Sequence, residues 1–133
     1  LREALHMLSE EGLPQVFARH LRLAEATRAA VRAWNLEILC ERDDEVSPVV
    51  TTVVMPAGHD ADRFRQVVLE RFNMSLGAGL GKLADKVFRI GHLGHFNDLT
   101  LAGTLAGVEM GLKRAGVPHE PAGVRAALDF LAG

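Results

Sequence analysis

The sequence predicts an α+β domain: a small mixed or antiparallel sheet of three to four strands, covered by helices and preceded by a long amphipathic helix. Apolar residues recur at three- and four-residue steps through residues 1–34, and this helical spacing returns after residue 97. Between them lie β-branched segments bounded by proline or glycine. Short loops and one helix connect these segments, which is typical of a small sheet with helices packed on it.

Two helices begin the chain. Residues 1–11 carry one apolar stripe, Gly12 provides a left-handed stop, and Pro14 suits the first turn of the next helix. We expect the second helix to bury its apolar stripe and to expose the charged residues between Arg19 and Arg32. The stripe consists of Leu13, Phe17, Leu21, Ala24, Thr27, Val31 and Trp34.

The middle of the chain contains the predicted strands. Residues 36–40 form a short apolar segment, and residues 49–55 are the clearest strand because they are rich in β-branched side chains. Both faces of the latter are largely apolar, so we expect it to be central in the sheet with cover on each side. Short strands are also predicted at 74–76 and 86–90, with a helix capped by Asp60 before them.

The last third is predicted to be helical. Asn97 or Asp98 caps a helix that extends to about Ala115, and a shorter helix holds residues 124–131. Three glycines lie four residues apart on the first of these helices, at positions 103, 107 and 111. Each costs about 1 kcal/mol relative to alanine in a helix interior. We therefore expect close approach by another element, within the domain rather than at an interface.

The composition excludes several classes of protein. A chain of 133 residues with a net charge of −2 indicates one domain and no nucleic-acid or anionic membrane partner. The single cysteine, Cys40, excludes an internal disulfide and favours a cytoplasmic location. The first residues are amphipathic and charged, unlike a signal peptide. Because the chain opens on Leu1, we expect it to begin within a longer protein.

Arg89 is the strongest candidate for a functional residue. Strand alternation sends Phe88 and Ile90 to one face and Val87 and Arg89 to the other. An arginine held on a stiff strand just before Gly91 is well placed to bind a carboxylate through two parallel hydrogen bonds. The alternative from the residues alone is an ordinary ion pair with an aspartate or glutamate on a half-solvated face.

The other candidate motifs are weak. The segment Gly77–Lys82 lacks the spacing of a phosphate-binding loop and indicates a flexible turn. His92 and His95 are too few for a typical zinc site, so we expect no metal. Cys40 ends an apolar segment and is expected to be a buried small side chain rather than a nucleophile.

The run Lys86-Val-Phe-Arg-Ile-Gly-His-Leu-Gly94 resembles the C-terminal small domain of class V, fold type I aminotransferases of the serine–glyoxylate and alanine–glyoxylate type. Asn97-Asp98 and the segment 101–112 extend the resemblance, which covers essentially the whole chain. It implies that Arg89 binds the α-carboxylate of the substrate. Residues 1–35 would then link to a large domain that is outside this chain, and residues 36–133 would form the small domain.

The resemblance further implies a pyridoxal 5′-phosphate enzyme that moves an amino group from serine or alanine to glyoxylate. The large domain would bind the cofactor and carry the Schiff-base lysine, so this chain would hold no catalytic and no cofactor-binding residue and would be inactive alone. The full-length enzyme would be a homodimer acting on amino acids and 2-oxo acids. Two alternatives stay open at this point: a stand-alone module that binds carboxylate metabolites, and a structural or oligomerisation domain.

Overall fold

The computed structural model describes residues 1–133 and contains five helices and three strands. In chain order they are α1 (Arg2–Glu11), α2 (Leu13–Ala33), β1 (Val50–Val54), α3 (Ala61–Phe72), β2 (Gly77–Ala78), β3 (Val87–Gly91), α4 (Asp98–Arg114) and α5 (Gly123–Ala132). The predicted α+β class is confirmed. No helix combines the length and the apolar character that crossing a bilayer requires.

The sheet is antiparallel, with the strand order β1-β3-β2. The segment 36–40 adds only a bridge, in which Ile38 pairs with Val53 on the outer edge of β1. A full strand was expected there. The strand expected at 74–76 is also displaced, because β2 lies at Gly77–Ala78, within the segment expected to be a flexible turn. β3 is therefore the central strand.

The core lies between one face of the sheet and the helices. Phe88 and Ile90 of β3 and Val53 of β1 are fully buried in it. Phe64 of α3 contacts Phe88 with ring centroids 4.7 Å apart. Helix α4 contributes Leu101, Leu105, Val108 and Leu112 to the same cluster. Every helix from α2 to α5 contributes to this one core. The opposite face of the sheet is less covered, since Thr52 and Arg89 on it are half-buried, although Val87 at the start of β3 is buried.

The first half of helix α2 is rotated relative to the predicted stripe, whereas the stripe is buried as predicted from Ala24 onward. Phe17 and Leu21 are 65% and 52% exposed, whereas Val16 and His20 are buried. Arg28 was expected on the solvated face but is buried, and one of its Nη atoms donates to Glu25 over 2.6 Å. The first half of the helix carries apolar residues on two sides, and the spacing alone could not decide which side packs.

The cover expected on both faces of β1 is also absent. Thr51 and Val53 are buried, but Val50, Thr52 and Val54 are only half-buried. The burial therefore alternates along the strand, as it does in an antiparallel sheet that is covered on one face.

The glycine face of α4 packs within the domain, as expected, at two of its three positions. A Cβ atom on Gly111 would clash with Val68 Cγ2, and one on Gly107 would lie 2.8 Å from Met74 Cε. A Cβ on Gly103 would meet nothing within 4 Å. Side chains of α3 and of the segment after it therefore fill the space above two glycines of α4.

Candidate functional site

Arg89 lies at the centre of the sheet face opposite the core. Its strand neighbours are Thr52 of β1 and Gly77 of β2, which are its direct partners in the two registers. Phe88 and Ile90 turn into the core, so the predicted alternation of β3 is confirmed. The guanidinium is half-buried, and its Nε donates to the carbonyl of Ala78 over 2.8 Å.

Arg89 has no acidic partner. The other partly or fully buried arginines, Arg19, Arg28 and Arg65, each form an ion pair with a carboxylate. Arg89 forms none, and its Nη1 and Nη2 atoms make no hydrogen bond within the chain. A half-buried guanidinium with two free nitrogens on one end is suited to a carboxylate from outside the domain.

The loop after β3 is fixed to helix α2. The Gly94 N–H donates to His20 Nε2 over 3.0 Å, so His20 Nδ1 carries the proton and donates to the Val16 carbonyl over 2.7 Å. Arg19 Nη1 donates to the carbonyls of Gly94 and Phe96. These contacts anchor the C-terminal end of the strand that carries Arg89.

Arg19 is itself held by Glu11 across the break between α1 and α2. Its Nε and Nη2 donate to the two carboxylate oxygens of Glu11 over 2.6 and 2.8 Å. The hydrogen bond from Arg19 lowers the pKa of the Glu11 carboxyl and raises the pKa of the Arg19 guanidinium. The contacts thus join α1, α2 and the loop after β3 into one network.

His92 is buried next to this loop. Its Nε2 lies 3.0 Å from Thr51 Oγ1, and its Nδ1 has no hydrogen-bond partner. Burial, followed by the positive charge of Arg28, lowers the pKa of His92 to about 4. His92 is therefore neutral at physiological pH, and its role is structural.

No protein-family model matches the chain. The chain is 48% identical over 132 residues to serine–glyoxylate aminotransferase of Arabidopsis thaliana, and the match covers 98% of this chain but 33% of that protein. It is 41% identical to L-aspartate–glyoxylate aminotransferase of Paracoccus denitrificans, over 96% of this chain and 32% of the relative. The chain thus spans about a third of the length of these relatives.

Among solved structures, ureidoglycine–glyoxylate aminotransferase of Bacillus subtilis superimposes with a TM-score of 0.92 and 33% identity. The match covers 99% of this chain and 34% of the other. Sequence and fold therefore agree. The chain is a C-terminal domain of the serine–glyoxylate aminotransferase family.

Other predicted positions of this aminotransferase domain have plainer roles. His92 and His95 do not form a pair, since His92 is buried and His95 is exposed. No cluster of three or more histidine, cysteine, aspartate or glutamate side chains is arranged to hold a metal. Cys40 is half-exposed rather than buried, with Sγ 3.4 Å from the carbonyl oxygen of Arg42.

Sequence reasoning missed the residues that hold the Arg89 strand in place. Arg19 and His20 lie 74 to 77 residues from the backbone groups that they bind. The positions of Arg19 and His20 in the sequence do not indicate these contacts, since arginines recur along the whole of α2. Glu109 was missed for the same reason: its Oε2 accepts hydrogen bonds from Trp34 Nε1 over 2.6 Å and from the Val124 N–H over 3.0 Å.

Proposed function

We propose that this domain supplies the substrate-carboxylate arginine of an aminotransferase that moves an amino group from serine or alanine to glyoxylate. The observation that carries the proposal is the position of Arg89, half-buried at the centre of the sheet face opposite the core and without an acidic partner. The names of the relatives support glyoxylate as a substrate. The amino donor in these names is serine, aspartate or ureidoglycine, whereas glyoxylate appears in all three.

Arg89 would bind and orient rather than react. Its two free Nη atoms would donate parallel hydrogen bonds to the α-carboxylate, and the stiff central strand would fix the direction of that bond. The amino acid would then present its Cα bond perpendicular to the cofactor ring. Amino donor and glyoxylate both carry a carboxylate, so in a ping-pong reaction one guanidinium serves both half-reactions.

The residues of this domain do not fit the cofactor itself. Lys82, Lys86 and Lys113 are the only lysines, and all three are exposed, whereas a Schiff-base lysine is activated in a desolvated pocket or next to another cation. Pyridoxal 5′-phosphate, when bound by the larger domain, supplies the electron sink for transamination. We therefore assign no chemical step to this chain and expect it to be inactive alone.

The arrangement of domains is part of the proposal. Residues 1–35 would connect the large domain to the small domain, 36–133. An apolar groove of about 580 Å³ lies along α2, and Leu13, Phe17 and Leu93 line it with more than half of their surface exposed. Exposed apolar surface of this kind marks an interaction site, which supports a large domain packed on this side. The full-length enzyme would be a cytoplasmic homodimer.

The test uses the full-length enzyme with Arg89→Ala and Arg89→Lys. Loss of a bidentate, charge-assisted bond to the carboxylate should raise KM for glyoxylate and for the amino donor about 100-fold, equivalent to about 3 kcal/mol. Lysine should be nearly as harmful as alanine because an ammonium does not reproduce the planar fork. Steady-state kinetics with both substrates varied measure the effect.

Arg71→Ala is the matched control, because Arg71 is an exposed arginine of α3 without an acidic partner. It should leave both KM values unchanged. Wild-type KM values in both Arg89 variants would remove Arg89 from the site. The isolated chain with pyridoxal phosphate, serine and glyoxylate should show no activity above background, and activity there would contradict the assignment of the reaction to a larger domain.

The alternatives make different predictions. A structural or oligomerisation domain drew its support from the glycine face of α4, but Gly107 and Gly111 are covered by Met74 and Val68 of the same chain. A stand-alone carboxylate-binding module would bind acetate or glyoxylate through Arg89 without any other domain. Tight binding by the isolated chain would favour that module.

A further inference from the structure

The contact between β2 and β3 is unusually close at Arg89. Gly77 is the direct partner of Arg89 in the register, and a Cβ atom on Gly77 would lie 2.9 Å from Arg89 Cβ and 3.1 Å from its Nε. Directly opposed residues of antiparallel strands normally keep their Cβ atoms about 4.5 to 5.5 Å apart. No side chain at position 77 is compatible with the present position of Arg89.

The side chain of Arg89 uses the space that Gly77 leaves. It extends over β2 far enough for Nε to donate to the carbonyl of the next residue, Ala78, over 2.8 Å. This bond occupies Nε and leaves Nη1 and Nη2 as the free pair of donors. A carboxylate must then approach the guanidinium end-on, through both Nη atoms, rather than side-on through Nε.

We infer that Gly77 is a positioning residue: its missing side chain, together with the Ala78 carbonyl, aims the guanidinium of Arg89 so that it binds the substrate carboxylate end-on. The inference rests on the proposed function, because it needs Arg89 to bind substrate. It adds to the site a positioning residue on a different strand. A residue larger than glycine at position 77 would move the guanidinium of Arg89 away from the substrate carboxylate.

The kinetic test is Gly77→Ala in the full-length enzyme. The added methyl group displaces Arg89, so KM for glyoxylate and for the amino donor should rise about 10-fold each, equivalent to about 1.4 kcal/mol, with a smaller change in kcat. The inhibition constant of acetate, used as a minimal carboxylate probe, should rise by the same factor. Gly103→Ala is the matched glycine control, since its added Cβ meets nothing within 4 Å, and it should change none of these values.

A double-mutant cycle separates positioning from a general structural effect. In the Arg89→Ala background the guanidinium is already gone, so Gly77→Ala should not raise KM or the acetate inhibition constant further. A further 10-fold rise in that background would overturn the inference, and so would wild-type KM values in Gly77→Ala. If Arg89→Ala itself leaves KM unchanged, the proposed function fails first. If Arg89→Ala weakens binding and Gly77→Ala does not, only the role of Gly77 fails.

A crystal structure of the unaltered enzyme with a bound carboxylate substrate tests the geometry even if Gly77→Ala fails to fold. The carboxylate oxygens should lie within hydrogen-bond distance of Nη1 and Nη2 of Arg89, with Nε still on the Ala78 carbonyl. A carboxylate bound through Nε, with the Ala78 contact broken, would overturn the inference.

Discussion

Acidification should destabilise the domain through His92. The imidazole is fully buried, its Nδ1 lacks a partner, and its pKa falls to about 4 from an ordinary value of 6.5. The unfolded chain therefore binds a proton at this site between pH 6.5 and 4 that the folded domain does not bind. Stability from the neutral imidazole is complete above pH 6.5 and is lost progressively as the pH falls.

The size of the effect follows from the difference between the two pKa values. One pKa unit corresponds to about 1.4 kcal/mol, so the difference between 6.5 and about 4 corresponds to about 3 kcal/mol in total. Between pH 7 and pH 5 the loss should be about 2 kcal/mol. That is a large share of the roughly 5 to 15 kcal/mol that stabilises a typical domain. The buried charge of Arg28 and the nearby His20 act in the same direction as burial.

Denaturant unfolding of the chain at pH 7, 6 and 5 measures this slope. Trp34 is the only tryptophan and is fully buried, so its fluorescence reports unfolding directly. His92→Gln is the comparison, because glutamine is a polar side chain of similar length that does not titrate. The pH range lies above the region where Glu11 and Asp44 titrate, whose carboxyl pKa values are lowered. Equal pH slopes in the two proteins would refute the role of His92.

Two further substitutions test contacts elsewhere in the domain. Glu109→Ala leaves the buried indole N–H of Trp34 and the N–H of Val124 without their acceptor. It should lower the unfolding free energy, measured by urea denaturation, by about 2 to 3 kcal/mol. An unchanged midpoint of the urea transition would contradict this prediction. Asp60→Ala removes the side-chain cap of α3, which accepts two backbone N–H bonds, and should lower the unfolding free energy by about 1 kcal/mol without changing KM in the full-length enzyme.

Local signals predicted most of the elements. Gly12 ends α1, Asp60 caps α3 and Asn97 caps α4, as expected from residue types that satisfy the free backbone groups at helix ends. The strand around Arg89 and the face to which Arg89 points followed from alternation alone. These features depend on neighbours close in sequence, so they can be predicted from the sequence alone.

Features that depend on distant partners could not be predicted in this way. The two possible buried faces of α2 differ only in what packs on them, so Phe17 was assigned to the core and His20 was not considered. β2 has only two residues and is defined by its pairing with β3, which no local pattern in a glycine-rich segment indicates. The absence of an acid near Arg89 is likewise a property of the fold.

The energetic cost of a half-buried Arg89 without an acidic partner favours a functional explanation for this residue. A half-buried guanidinium loses hydration, and the domain compensates its other buried or half-buried arginines with a carboxylate each. At Arg89 it instead uses one backbone carbonyl and a glycine, which hold the side chain in place without neutralising its charge. An arginine that served only to stabilise the sheet would gain from an acid at position 52, where Thr52 stands directly opposite. Arg89 therefore keeps a charge with which a carboxylate from outside the domain can pair, as the proposed substrate role requires.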